Sequence, residues 1–127
     1  MDSTIRRLVR QRAGDRCEYC GLRQSAAPLA IFHIEHVIAT QHGGTDEFEN
    51  LALACYHCNL HKGPNIAGID PESGDIIALF NPRLEQWDGH FERWGTSIAG
   101  KTPKGRATIK VLAMNGEEIR QLRAETE

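Results

Sequence analysis

Four cysteines constrain this chain more than any other sequence feature, because they form two Cys-x-x-Cys pairs, Cys17/Cys20 and Cys55/Cys58. Each pair presents two thiolates from one side of a turn, and two such turns can complete a tetrahedral zinc site. Free buried thiols and a thioredoxin-like redox pair are the alternatives, and the presence of two separate pairs disfavours both. Because 34 residues separate the pairs, a folded unit must lie between them. A four-thiolate site has no open coordination position, so we expect this zinc to be structural.

Length and composition are those of one ordinary globular domain: 127 residues, 40% hydrophobic and 25% charged. We therefore expect a single domain over 1–127. The net charge of −2 excludes a uniformly basic surface but not a local basic patch. Residues 1–16 carry five arginines and no apolar run, which excludes a secretory signal, and no segment is apolar enough for a membrane helix. These features favour a cytoplasmic protein without membrane contact, in which thiols stay reduced.

The first half of the chain predicts helix, strand, loop, strand and helix in that order. Residues 4–13 have helical spacing of apolar residues and end at a glycine. Leu29–Ala39 has the β-branched and aromatic composition of a strand, and residues 40–50 form a long loop. Leu51–Ala54 is a second short strand, and a short helix follows over Cys55–Lys62.

The second half carries weaker signals. Ile66–Ile69 and Ile76–Phe80 predict a hairpin around a turn. Residues 82–94 are mixed, and three aromatic residues there have the spacing of one helical face that packs on the core: Trp87, Phe91 and Trp94. A helix is expected from Pro103 to Met114, then a last helix through Ala124. The expected class is α+β, with a core at 14–64 and an extension at 65–127.

A second group of polar residues lies between and beside the cysteine pairs. Glu35 and His36 close the first predicted strand, Asn50 precedes the second, and Asn59 and Lys62 share one face of the short helix. Carboxylate and amide oxygens suit Mg²⁺, and a histidine beside them can act as a general base. Each residue also has a structural interpretation, as a core histidine, a solvated acid, or a turn or capping residue. Spacing alone does not decide between these interpretations.

Together these motifs resemble the HNH endonuclease family, whose zinc-stapled ββα-metal fold would cover about residues 14–64. The resemblance rests on several residue types in fixed order: Phe32-His33-Ile34-Glu35-His36-Val37-Ile38, Gly43-Gly44, Asn50-Leu51, and Cys55-x-x-Cys58-Asn59-x-x-Lys62-Gly63. It implies hydrolysis of DNA phosphodiester bonds with one divalent ion, Mg²⁺ or Mn²⁺, besides the structural zinc.

The resemblance also implies roles for individual residues. His36 corresponds to the base that activates water, and Glu35 to the acidic metal ligand, which is more often aspartate in the family. Asn50 corresponds to the asparagine that holds the long loop and helps to orient the base. Asn59 corresponds to a ligand of the catalytic metal, and Lys62 to a lysine that contacts phosphate.

Two histidines near these positions are alternative ligands of the catalytic metal, namely His33 and His61. His36 is expected to take a proton from the attacking water, and the metal to stabilise the developing charge. The product would carry a 5′-phosphate, as is usual in the family.

Two basic segments are candidate DNA-contacting surfaces. Residues 1–24 hold six arginines against three acids, and residues 99–110 hold four cations and no acid. Solvated helix faces are the alternative interpretation. No base-reading motif is present, so we expect double-stranded DNA to be bound with low sequence specificity, and no heptad pattern indicates an oligomer. The alternative functions are a non-catalytic zinc-containing nucleic-acid-binding module and a purely structural or protein-interaction zinc domain.

Overall fold

The computed structural model describes residues 2–125. Its first helix, α1 (Ser3–Ala13), begins where the Asp2 carboxylate accepts a hydrogen bond from the Ile5 amide. It ends at Gly14, whose φ of +65° suits glycine. Val9 is fully buried on one side, so α1 contributes a narrow apolar stripe to the core.

The centre of the molecule is an antiparallel pair of short strands followed by a helix. Strand β1 (His33–His36) pairs with β2 (Leu51–Ala54), so that His33 faces Ala54 and His36 faces Leu51 across the ladder. All four residues of β2 are buried, and α1 and α2 (Tyr56–Lys62) both contact this strand. The order strand, loop, strand, helix was predicted from the sequence and is confirmed.

Strand β1 is much shorter than the predicted Leu29–Ala39. The segment before it makes a turn instead, in which the Ala30 amide bonds to the Ala27 carbonyl. Leu29 and Ile31 are 99% and 73% exposed. The partner strand has only four residues, so apolar side chains outside the ladder had no strand to pair with. The loop after β1 contains two short 3₁₀ helices, Thr40–His42 and Phe48–Asn50.

Beyond α2 the chain forms two more hairpins and three helices within the described residues. The predicted hairpin is confirmed as β3 (Ala67–Ile69) paired with β4 (Ile76–Ala78). Helix α4 (Pro103–Val111) begins at Thr102, whose hydroxyl accepts a hydrogen bond from the Gly105 amide. The expected last helix is α5 (Glu117–Ala124).

The predicted helical face of three aromatic residues is wrong. Helix α3 (Trp87–His90) is a single turn, and the chain then enters strand β5 (Phe91–Trp94), which pairs with the unpredicted strand β6 (Ser97–Gly100). Phe91 is buried beside Trp87, whereas Trp94 is 67% exposed. Residues 91–94 therefore form a paired strand, although the three aromatic residues have the spacing of a helix.

One cluster of buried apolar residues draws on both halves of the chain, from Val9 and Leu51 to Phe80, Phe91 and Ile119. A buried carboxylate, Asp70, ties the β3–β4 turn to α4 through a bidentate pair with Arg106, at 2.9 Å for each contact. These hydrogen bonds hold the pKa of Asp70 well below its usual range. None of the described helices combines the length and apolarity needed to cross a membrane.

Candidate metal centre and catalytic cleft

The four cysteines meet at one point in the core. Their sulfur atoms all lie within 4.8 Å of one another, all four residues are buried, and none forms a disulfide. Cys20 Sγ lies 3.8 Å from Cys55 Sγ, which matches the separation of about 3.8 Å between sulfurs bound to one tetrahedral zinc. The amides of Cys20 and Cys58 point at the Sγ atoms of Cys17 and Cys55. The four-cysteine cluster therefore fits a structural zinc ion.

A cleft of about 380 Å³ is lined by residues of β1, of α2 and of the segments that follow them. Glu35 and His36 reach it from β1, and Asn59 reaches it from α2. Residues 39–41 and 63–64 complete its walls. Three of the five polar residues singled out in the sequence thus line one concave surface, which is the usual setting of a catalytic site.

The Glu35 carboxylate is held by two buried partners. Its Oε1 atom accepts a hydrogen bond from the Tyr19 hydroxyl, and its Oε2 atom lies 3.2 Å from Lys62 Nζ. Burial raises the pKa of Glu35, while the Lys62 charge and the Tyr19 hydrogen bond oppose that shift. Burial also raises the pKa of Tyr19 well above its usual value, so Tyr19 remains a proton donor. A carboxylate has about four lone-pair sites, so acceptor capacity remains on Glu35.

The Lys62 side chain, for which a phosphate contact was expected, is buried. The residue is 1% exposed. Its ammonium donates to the carbonyl oxygens of His36 and Val37, at 3.3 and 3.0 Å, in addition to its contact with Glu35. These acceptors replace water around the charge, which is the condition for burying a lysine. Lys62 therefore fixes the end of β1 rather than facing solvent.

Asn50 makes three side-chain hydrogen bonds to the long loop between β1 and β2. Its side-chain oxygen accepts from the Ile38 amide at 2.9 Å. Its side-chain nitrogen donates to the carbonyl oxygens of Ile38 and Thr45, at 3.0 and 2.8 Å. Gly44 lies where a Cβ atom would come within 1.7 Å of the Ile38 carbonyl oxygen, so a side chain at this position would force the loop apart.

His36 contacts an acid that the sequence analysis did not consider. His36 Nε2 lies 2.6 Å from Asp46 Oδ1, and the side chains are 28% and 84% exposed. Asp46 comes from the loop held by Asn50 and lies ten residues from His36. The sequence contains no local signal for the contact of Asp46 with His36, because Asp46 is one of several acids in the loop. Only the folding of the loop brings Asp46 to the end of β1.

The two alternative histidine ligands lie outside the cleft. The His33 ring is near Tyr56, with centroids 6.3 Å apart, and the His61 ring contacts His57 at 4.4 Å. His61 lines a different, mostly apolar cleft beside Leu60. A further cleft of about 390 Å³ lies next to Cys17 and Cys20 and contains none of the expected catalytic residues.

Several cations of the two basic segments have partners within the protein. Arg12 donates to the carbonyl oxygens of Phe48 and Leu51 and stacks on the Phe48 ring at 3.7 Å. Lys104 pairs with Glu85 at 2.7 Å, and Arg106 pairs with Asp70. Six other cations of these segments are exposed: Arg6, Arg7, Arg16, Arg23, Lys101 and Lys110.

Comparison with known proteins finds a family that matches the central part of the chain. Residues 17–65 match the family model described as HNH endonuclease. This segment contains the four-cysteine cluster, the β1–β2 pair and α2 of the small α+β fold.

The chain is also similar to a named protein, Septu protein PtuB from Bacillus thuringiensis. The two are 24% identical over 113 residues, which cover 87% of this chain and 41% of that protein. The chain therefore spans about two fifths of the length of the curated relative that it matches. No solved structure was found to match it. The resemblance of the sequence motifs to the HNH endonuclease family is confirmed by the match over residues 17–65.

Proposed function

We propose that this protein is a metal-dependent endonuclease that hydrolyses phosphodiester bonds in DNA, with His36 as the general base. The observation that carries the proposal is the shared cleft of about 380 Å³, in which Glu35, His36 and Asn59 meet. The match of residues 17–65 to the HNH endonuclease family supports the same reaction class.

In this proposal His36 accepts a proton from a water molecule that attacks the phosphorus. The phosphorus–oxygen bond to the 3′ oxygen then breaks, and the leaving oxygen takes a proton from a solvent water, which gives a 5′-phosphate and a 3′-hydroxyl. The ring is 28% exposed, so water reaches it from the cleft. Asn50 acts at a distance, because its three hydrogen bonds to Ile38 and Thr45 hold the loop that borders the cleft.

Glu35 and Asn59 would hold the catalytic divalent ion. Their carboxylate and amide oxygens are hard donors of the kind that Mg²⁺ and Mn²⁺ prefer. When bound, such an ion stabilises the negative charge that develops on the phosphate and on the leaving oxygen. Tyr19 and Lys62 fix the orientation of the Glu35 carboxylate, so we assign Lys62 a positioning role rather than a phosphate contact.

The DNA backbone would be met by exposed cations. Arg6 and Arg7 on α1, with Lys101 and Lys110 near α4, are exposed. Such contacts read no sequence, so we propose double-stranded DNA as substrate with low sequence specificity.

A plasmid-nicking assay tests the proposal. Purified zinc-loaded protein with Mg²⁺ or Mn²⁺ should convert supercoiled plasmid to nicked or linear forms. His36→Ala should lower the rate by about 10²–10⁴-fold, the usual contribution of a general base.

The matched control is His42→Ala. His42 is an exposed histidine in the same loop region, and its removal should leave the rate unchanged. Equal activity of His36→Ala and the wild type would contradict the assignment of the base.

A non-catalytic nucleic-acid-binding module is the second candidate. The observation that favours it is the engagement of both Glu35 oxygens by Tyr19 and Lys62, since a lysine beside a carboxylate competes with a metal ion. Salt-dependent DNA binding without cleavage in any divalent metal would establish this function instead.

A further inference from the structure

We propose that Asp46 is the positioning residue of His36: its carboxylate holds the imidazole ring in the orientation and tautomer needed for proton transfer. The inference deepens the proposed function and rests on it for the kinetic consequences. It starts from the 2.6 Å contact between His36 Nε2 and Asp46 Oδ1.

Asp46 is 84% exposed, and an exposed acid on a free loop would sample many positions. The residues around it are fixed, however. The Thr45 carbonyl accepts a hydrogen bond from Asn50 Nδ2 at 2.8 Å, and the Thr45 hydroxyl accepts from the Glu47 amide at 3.3 Å. The Gly44 amide bonds to the Ala39 carbonyl at 3.0 Å. The backbone on both sides of Asp46 is therefore anchored.

These contacts form a chain from the loop to the base. Asn50 holds Thr45, the next residue is Asp46, and Asp46 meets His36. Asn50 itself is fixed by two hydrogen bonds to the Ile38 backbone, two residues beyond His36. The geometry thus supplies a physical route by which an asparagine that does not touch the ring can orient it.

The contact also determines which ring nitrogen is free. A neutral imidazole has one N–H and one bare nitrogen. An ionised carboxylate only accepts hydrogen bonds, so the proton lies on Nε2, and the Nε2–H group donates a hydrogen bond to Asp46 Oδ1. Nδ1 is then the proton acceptor for the attacking water. Because the ring is already oriented, no free energy is needed to orient it before the proton transfer from water to His36.

The kinetic test compares three variants of the full zinc-loaded chain in the plasmid assay. Asp46→Ala should lower kcat by about 10- to 100-fold, the range expected for loss of one hydrogen bond to a charged group. KM for DNA should not change. Asp46→Asn keeps an oxygen acceptor and should retain more activity than Asp46→Ala.

The matched control is Glu47→Gln. Glu47 is the exposed neighbouring acid and carries the same charge as Asp46. The Glu47→Gln variant should leave kcat and KM unchanged. This result would show that the effect of Asp46→Ala comes from its contact with His36 and not from the loss of a negative charge.

A second measurement does not depend on activity. Three-bond NMR couplings of the His36 side chain report its rotamer in the zinc-loaded protein without DNA. We expect a single rotamer in the wild type and in Glu47→Gln, and averaging between rotamers in Asp46→Ala.

Distinct results would overturn the two proposals. An Asp46→Ala protein with wild-type kcat and a single His36 rotamer would overturn the inference about Asp46. Recovery of its kcat by excess divalent metal would also overturn it, because Asp46 would then be a metal ligand. A wild-type protein without nuclease activity would overturn the proposed function, and the rotamer measurement would still decide whether Asp46 holds the ring.

Discussion

At the scale of single residues, a buried ion pair between Lys62 and Glu35 lies beside the cleft. The two side chains are 2% and 6% exposed, and their charged atoms lie 3.2 Å apart. Removing both charges from water is costly, and the pair is tolerated because each partner has further hydrogen bonds. Tyr19 supplies one to Glu35, and the carbonyl oxygens of His36 and Val37 receive two from Lys62.

Replacing only one member of this pair should therefore destabilise the protein strongly. Lys62→Met leaves the Glu35 carboxylate buried without its counter-charge, and we expect the free energy of unfolding to fall by about 3–5 kcal/mol. Urea unfolding of the zinc-loaded protein measures this change.

The control is Lys104→Met. Lys104 pairs with Glu85 at 2.7 Å but is 25% exposed, and we expect a loss below about 1 kcal/mol. The double variant Lys62→Met/Glu35→Gln should recover part of the loss, since no charge remains buried. Similar losses for Lys62→Met and Lys104→Met would show that burial does not set the cost.

At the scale of elements, the position of α4 depends on a close approach at Gly105. A Cβ atom there would lie 2.1 Å from the His90 carbonyl oxygen and 3.3 Å from Gly100 Cα. The helix therefore packs directly on the backbone where α3 ends and β6 ends. No larger residue fits without moving α4.

Gly105→Ala should consequently destabilise the protein, against the ordinary preference of a helix for alanine. Replacing glycine by alanine in a helix normally adds about 1 kcal/mol of stability, whereas overpacking costs about 1–3 kcal/mol. The control is Gly89→Ala in α3, where an added Cβ would meet nothing within 4 Å. Thermal unfolding should rank Gly89→Ala at or above the wild type and Gly105→Ala below it, and the reverse order would contradict the packing of α4.

The sequence predicted some elements well and others poorly, for identifiable reasons. Strand β2 has the predicted bounds, and α2 ends at the predicted Lys62, because a buried run and a Gly-Pro stop are local signals. Phe91 and Trp94 were assigned to a helix that ends at His90. Their spacing fits a helix, and only the pairing of β5 with β6 reveals the strand.

At the scale of the whole molecule, the four-cysteine cluster joins distant parts of the chain. One pair lies in the turn after α1, and the other includes Cys55, which caps α2 with its sulfur. Domains of this size have a stability of about 5–15 kcal/mol. Structural zinc contributes a free energy of about 10–16 kcal/mol in small zinc domains, so a zinc ion bound by this cluster would account for much of the folding free energy.

Removal of zinc should therefore unfold the protein. We expect one zinc ion per chain by elemental analysis, and loss of the cooperative thermal transition after treatment with a strong chelator. Added Zn²⁺ should restore the transition, whereas Mg²⁺ should not, because magnesium does not favour thiolate ligands. A metal-free protein with an unchanged transition would contradict the structural role of the cluster.

The sequence by itself determined the α+β class, the cysteine pairs and the order of elements around them, since these depend on residue spacing along the chain. It also identified Glu35, His36 and Asn59, which the cleft brings together. Tertiary structure alone decided that Lys62 is buried against Glu35, and that Asp46 meets His36. The identity of a lysine or an aspartate does not show whether its side chain faces water or an oppositely charged group. Its partners are distant in the sequence, and only folding brings them close.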